Sequence, residues 1–275
     1  MINKKDMVIN YLLKHRGIDF SGCCHSMVEH QLEQRMNTTG TRTAPEYYEY
    51  LQSHPEELDS LIDSLTINAS GFFRDPLVFS YLSSKIFPKL ISEKAMSGNP
   101  LRIWSAGCAA GEEPYSVAIE ISKLMKNVAA GFTVNIIATD INAGTVDKAR
   151  AGRYTPERLS NIRFEYLKHF TQRGNTFSLK RNIKQQVNFS RYDLLDEKSY
   201  CPPESVYGGF DVVLCRNVLI YYNTRYRNRI FIKLHRSLNE NGYLVMGETE
   251  TPTKRFQNCF KKVNECCHIF KKITP

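Results

Sequence analysis

The stretch RIWSAGCAAGEEPYSVAIEI, Arg102 to Ile121, constrains this chain more than any other, because it joins an apolar run to an amphipathic helix through a loop of very small residues. Leu101, Ile103 and Trp104 predict a strand too apolar for a solvent-facing edge. Ala106, Gly107, Ala109, Ala110 and Gly111 then leave room for a ligand to touch main chain. Pro114 suits a first helical turn, and Val117, Ala118, Ile121, Leu124 and Met125 recur on one helical face. Strand, turn and helix in this order belong to an α/β fold.

The loop narrows the ligand. No GK[ST] ending of a P-loop is present, and Glu112 and Glu113 put negative charge where a pyrophosphate would lie. The next strand, Val134 to Thr139, ends in Asp140, and an acid at the second strand tip accepts from ribose hydroxyls in nucleotide-binding sheets. Together these signals point to S-adenosylmethionine, a nucleoside with a cationic sulfonium and no phosphate. The plainer alternative is an ordinary α/β turn with a capping Glu and a surface Asp.

At 275 residues, 42% apolar and 24% charged, the chain can bury one good core plus a small second domain. No apolar run approaches the roughly 18 residues of a membrane span. The start, MINKKDMVINYLLKHRG, is too short and too charged for a signal peptide, so a cytoplasmic protein is expected. Eight cysteines include two vicinal pairs but no CxxC, against a disulfide scaffold or a zinc ribbon. Cys266, Cys267 and His268 lie in an apolar, strand-like run and read as packing, so no metal is expected.

Helical signals fill the N-terminal part. Thr43 to Glu46 and Ser53 to Glu56 have capping-box spacing, and Leu58, Leu61, Ile62 and Leu65 form a stripe. The segment NASGFFRDPLVF (68–79) follows, then a helical connector and a polar break from Ser97 to Pro100. The domains expected are therefore a helical unit at 1–80, a connector at 81–100 and a nucleoside-binding domain at 101–275. Beyond Asp140 a helix over Ala143 to Ala151 is predicted, then an irregular region with a hairpin around Phe177 to Leu179. Strands follow at Val187 to Ser190, Phe210 to Cys215, Tyr243 to Gly247 and Cys267 to Phe270. A helix burying Ile230, Phe231, Leu234 and Leu238 should close at Asn241-Gly242. This is a doubly wound, mostly parallel sheet, with Gly107, Asp140, Asp193 and Arg216-Asn217 at the carboxyl ends of its strands.

Four motifs in order, NASGFFRD (68–75), WSAGCAAGEEPYS (104–116), ATDI (138–141) and FDVVLCRNVLIYY (210–222), resemble the CheR family of chemotaxis receptor glutamate methyltransferases. With the helical first domain, the resemblance covers nearly the whole chain. It implies the class I S-adenosylmethionine-dependent methyltransferase fold, with a seven-stranded sheet, a small all-helical N-terminal domain and a small β-insertion at 169–189. It implies esterification of glutamates on the cytoplasmic helical bundle of a chemoreceptor, with S-adenosylhomocysteine as the other product. A monomer that uses no metal, binds no nucleic acid and does not insert into membranes is expected.

The resemblance also implies roles for residues. Asn68, Ser70 and Arg74 would face the cofactor and the transferred methyl, and the GEEPYS acid, Glu112 first and Glu113 as the alternative, would bind the cofactor. Asp140 would hold the ribose, Asp193 and Leu194 would flank the adenine, and Arg216 and Asn217 would line the cleft. Tyr221 would sit beside the sulfonium and the acceptor. Arg74 and Tyr221 are the catalytic candidates, suited to positioning a carboxylate. With a reference pKa near 4.3, a glutamate is already an anion at pH 7 and needs no general base. A salt bridge to Asp75 or another acid is the alternative for Arg74, and packing for Tyr221.

Three features depart from the family pattern. Ser70 stands where a second Thr is usual. Residues 1–75 carry net charge −4, and HSMVEHQLEQRM has only Arg35 and two histidines where relatives have a strongly basic, receptor-facing helix. The other 200 residues carry +13, so a basic surface lies on the second domain. The 169–189 segment is shorter than in relatives that dock a receptor tether, which implies that no tether is needed. Other functions fit less well. An amino-methylating nucleic-acid enzyme would have a [DNS]PP[YF] motif where CRNVLIYY stands. A silent adaptor binding a receptor or response regulator would not need every cofactor position filled. A carboxyl methyltransferase for another acceptor would not need the helical domain.

Overall fold

The computed structural model describes residues 4–66, 70–128, 131–160, 162–205 and 209–273. Four helices come first: α1 (Lys4–Arg16), α2 (His25–Thr39), α3 (Ala44–Ser53) and α4 (Glu57–Leu65). Thr43 caps α3 as its spacing predicts, its hydroxyl accepting the Glu46 N–H. Ser53 does not cap α4. It ends α3, donating back to the carbonyls of Glu49 and Tyr50, and Pro55 separates the two helices. The Leu58, Leu61, Ile62 and Leu65 stripe buries against Val8, Leu12, Val28, Leu32, Tyr47 and Leu51, giving these helices a core of their own.

Arg35, the single Lys or Arg of α2, points into this unit. Its guanidinium makes a two-pronged bond to Glu57 at 2.8 and 2.6 Å, and Glu57 also accepts from the Tyr47 hydroxyl at 2.7 Å. Glu57 is only 7% exposed, so Arg35 neutralises a buried carboxylate.

Next come α5 (Pro76–Tyr81), a π-helical turn at Leu82–Ile86, and α6 (Phe87–Ser97). Packing divides the chain earlier than residue 80. Phe72, Phe73, Val78, Phe79 and Leu90 belong to the core of the sheet. Phe72 packs edge-on against Tyr154 and Phe170, and Phe73 stacks on Tyr166 at 4.3 Å, so this motif is an integral part of the sheet domain.

That domain runs β1 (Leu101–Ala106), α7 (Glu112–Leu124), β2 (Val134–Asp140), α8 (Ala143–Ala151), β3 (Arg153–Tyr154), β4 (Phe170–Arg173), β5 (Thr176–Leu179), α9 (Arg181–Lys184), β6 (Val187–Arg191), β7 (Phe210–Cys215), α10 (Thr224–Ser237), β8 (Leu238–Met246), β9 (Phe260–Lys262) and β10 (Ile269–Lys272). Seven strands form one mostly parallel sheet in the order β6-β2-β1-β7-β8-β10-β9, with β10 antiparallel to its neighbours. Separate apolar clusters cover its two faces, as a doubly wound sheet requires.

The insertion is a small antiparallel sheet, β3-β5-β4. It differs from the expected 169–189 span at both ends. Its edge strand comes from Arg153–Tyr154, while Val187–Arg191 leaves it to pair with β2 in the main sheet. α10 stops at Ser237 because Leu238 already pairs with Phe210; Asn241-Gly242 therefore lies within β8. The final strand starts at Ile269, with Cys267 buried before it and Cys266 exposed.

β1 has β2 on one side and β7 on the other, so the connections leaving the ends of β1 and β7 diverge and open a crevice. The helical unit closes over it. Asn142, which caps α8 by accepting from the Thr145 N–H, also donates to Asp63 at 2.6 Å and to Thr66 at 3.1 Å. On the other side the Cys24 N–H donates to the Tyr221 carbonyl at 2.8 Å.

Replacing Arg35 by Met leaves Glu57 buried without its cation. We expect a loss of about 3 kcal/mol, read by urea denaturation of the whole chain. A loss below about 1 kcal/mol would mean that Tyr47 suffices for Glu57.

Candidate active site

The crevice is a cavity at the carboxyl edge of the sheet, walled by loops after β1, β2, β6 and β7 and roofed by the helical unit. It brings together Ser70, Arg74, Glu113, Asp140, Asp193, Leu194, Arg216, Asn217 and Tyr221, nine of the residues singled out from the sequence. Asn68 lies outside the described residues. Glu112 does not line the cavity.

The loop after β1 continues the strand: the N–H groups of Gly107 and Cys108 both donate to the Thr139 carbonyl. A Cβ on Gly107 would come within 2.5 Å of the Val218 side chain, so this wall fits only glycine. Ala109 sits at φ 47, and its N–H donates to Asp140 at 2.9 Å. The other Asp140 oxygen accepts from the Asn142 N–H at 3.0 Å. Burial pushes the Asp140 carboxyl above its usual value, against the pull of these backbone donors. Burial also raises Asp193, whose carboxylate accepts from the Leu195 N–H.

Glu113, at the start of α7, faces the cavity. It accepts from the Ser105 hydroxyl at 2.7 Å and from Arg216 at 3.1 Å. The neighbouring Glu112 turns away. It is 0% exposed, pairs with Arg158 of the insertion at 3.1 Å, and leaves Oε2 unpartnered among the described residues. Burial raises its carboxyl, with Arg158 opposing. Arg158 also donates to the Ser70 carbonyl, tying the 70–74 loop to α7. The structure thus places Glu113, the second choice from sequence, at the cavity.

Arg216 is the hub. Its guanidinium donates to Glu113, to Asp75 and to the Arg74 carbonyl, and lies over the Phe79 ring. Asp75 pairs with Arg216 through one carboxylate oxygen. Arg74 itself is exposed at the cavity rim, and its charge acts on Tyr221. Burial raises the Tyr221 hydroxyl and Arg74 pulls it partly back, so the hydroxyl stays protonated at neutral pH.

Five non-glycine residues have positive φ among the described residues; two of them, Ala109 and Asn217, line this cavity, and two more, Phe73 and Asp75, flank the lining residue Arg74. Such conformations cost on the order of 1–3 kcal/mol each and persist where surrounding structure enforces them. The cavity also holds an orphan acceptor: Asn217 Oδ1 is buried without a partner among the described residues. Glu113, Asp140 and Asp193, with Asp75 behind them, outnumber Arg74 and Arg216. A net negative pocket with a free amide oxygen fits a nucleoside bearing sulfonium and ammonium charges.

Several contributors carried no sequence signal. Phe20 and Met27 reach the cavity from the helical unit. Lys233 lies beneath its edge, donating to the Tyr192 hydroxyl and to the carbonyls of Asp193 and Asp196; burial brings its pKa down to about 8. Glu250, from the GETE sequence after β8, holds the loop bearing Asn217. An acid just past a strand end was the only hint of it.

Residues 68–267 match a family profile described as CheR methyltransferase, SAM binding domain, and residues 6–66 match one described as CheR methyltransferase, all-alpha domain. The chain is 33% identical over 249 residues to a chemotaxis protein methyltransferase of Borreliella burgdorferi, covering 89% of this chain and 86% of the relative. It is 33% identical over 255 residues to chemotaxis protein methyltransferase 1 of Pseudomonas aeruginosa, covering 87% of each. No helix among the described residues is long and apolar enough to cross a membrane.

Glu112 and Glu113 are separable by experiment. The folded chain holds the Glu112 proton more tightly than the unfolded chain does, so stability falls as pH climbs from the ordinary carboxylate range through the raised value. Glu112→Gln removes that fall, and its stability relative to wild type should improve steadily in urea titrations from pH 4 to pH 7. Its affinity for S-adenosylhomocysteine, by calorimetry, should stay within about threefold of wild type, whereas Glu113→Gln should lose about tenfold or more. The reverse ranking would return Glu112 to the cavity.

Proposed function

The chain belongs to the CheR methyltransferase family, and on that premise we propose that it methylates glutamate side chains on the helical cytoplasmic bundle of chemoreceptors. The observation that carries this reading is the division of one cavity into a buried acidic interior and a rim bearing Arg74 and Tyr221. S-Adenosylmethionine supplies the methyl group on a sulfonium and leaves as S-adenosylhomocysteine.

In this reading Asp140 holds the ribose hydroxyls and Asp193 and Leu194 the adenine. The Asn217 amide oxygen accepts from the ammonium end, and Glu113 adds negative charge beside it. At the rim Arg74 aligns the acceptor carboxylate, and Tyr221, which keeps its proton, donates to it without taking one. No residue need act as a base, because the acceptor already carries the electron pair that forms the new bond. Orientation is the task left to the protein, and in favourable cases it removes about 7 kcal/mol from a barrier. The inward turn of Arg35 leaves α2 without a free Lys or Arg. The basic excess that could steer an acidic receptor surface lies mainly on the sheet domain.

Transfer of a radiolabelled methyl group to membranes rich in the host's chemoreceptors tests the proposal. Base-labile label on a receptor-sized band is the expected result. Cofactor binding without such label points to another acceptor or to an adaptor role. Arg74→Ala should lower turnover by about tenfold or more while S-adenosylhomocysteine affinity changes less than about threefold. Asp140→Ala should instead weaken that affinity by roughly 1.5–3 kcal/mol for each charge-assisted bond lost. Unchanged turnover in the first variant makes Arg74 structural; unchanged affinity in the second removes the ribose assignment.

A further inference from the structure

Glu250 is 4% exposed and, among the described residues, has no ion-pair partner. Its carboxylate is satisfied by main chain. One oxygen accepts from the N–H groups of Asn217 and Gly247, both at 2.8 Å, and the other from Leu219 at 2.8 Å and Ile220 at 3.3 Å. His268 Nδ1 donates to the Glu250 carbonyl at 2.7 Å, fixing the residue from behind.

Three of those four donors belong to a single loop. It supplies Arg216, Asn217, Val218, Tyr221 and Tyr222 to the cavity, and it passes through Asn217 at φ 58. A cluster of converging N–H groups is an anion site, here filled by the chain's own carboxylate. Neutral side chains fill it poorly: Gln offers one acceptor and turns an NH₂ toward other donors. We propose that Glu250 is a positioning residue, which acts through the 217–220 backbone to aim the Asn217 amide and to set the height of Tyr221. The proposal rests on the reading of the cavity as the cofactor site.

The test is a double-mutant cycle on S-adenosylhomocysteine affinity, by calorimetry on the full chain with Glu250→Gln, Asn217→Ala and the pair. Each single variant should bind about tenfold weaker or more, and the pair no more than about threefold weaker than the worse single. A merely structural role gives multiplied losses, and that result, or Glu250→Gln within threefold of wild type, overturns the proposal. If Glu250→Gln does not fold, Glu250→Asp takes its place: it keeps the charge but, one methylene shorter, cannot reach all four N–H groups at their present distances. A wild-type chain that binds the probe but labels no receptor overturns the receptor reading and leaves this cycle decisive. A wild-type chain that does not bind the probe overturns both.

Discussion

A single buried guanidinium holds the active cavity together. Arg216 stands at the end of a central strand with its side chain 2% exposed, and its dehydration costs on the order of several kcal/mol unless carboxylates compensate. Two do, from different parts of the chain: Asp75, beside the rim residue Arg74, and Glu113, at the start of the helix behind the glycine loop. The requirement to neutralise one cation therefore fixes three segments relative to one another. It also explains why residues 70–79, though preceded by a helical unit, pack with the sheet: Asp75 reaches the end of β7, and Phe79 lies under the same guanidinium.

Much of this was legible from the sequence because α/β sheets collect their ligand-facing residues at strand ends. Gly107, Asp140, Asp193 and Asn217 each follow an apolar strand, and topology brings them to one crevice. What the sequence left open depends on packing between distant segments. Glu112 and Glu113 are adjacent on a helix and point about 100° apart, so only the docking of α7 decides which one meets the cavity. Sequence alone does not place Arg35, because its partner Glu57 lies 22 residues away and is buried beside it only once the helices pack. Ser53 fits a capping box or a helix end equally well, and the break at Pro55 decides between them. Glu250 follows a strand like the others, but its carboxylate faces backbone, a role that leaves no side-chain pattern to detect.

The helical unit is part of the site rather than an appendage. Phe20, Cys23 and Met27 form its side of the cavity, and the backbone bond from Cys24 to Tyr221 joins the start of α2 to the loop that carries the rim tyrosine. Any partner that presses on α2 acts on a helix whose first residues are bonded to that loop. The helical unit thereby covers one side of the cavity above the strand ends.

That closure has a consequence for turnover under the proposed reaction. Before transfer the cavity would hold a cation in its acidic interior and an anion at its rim, and the two attract. Afterwards the sulfonium has become a neutral thioether and the carboxylate a neutral ester, so both charges vanish in one step. The attraction that assembled the pair disappears with them. Glu113, Asp140 and Asp193 then face a ligand that has lost one positive charge, and Arg74 faces an ester in place of an anion. Transfer thus removes the attraction between sulfonium and carboxylate, while the contacts to ribose, adenine and ammonium are the same before and after.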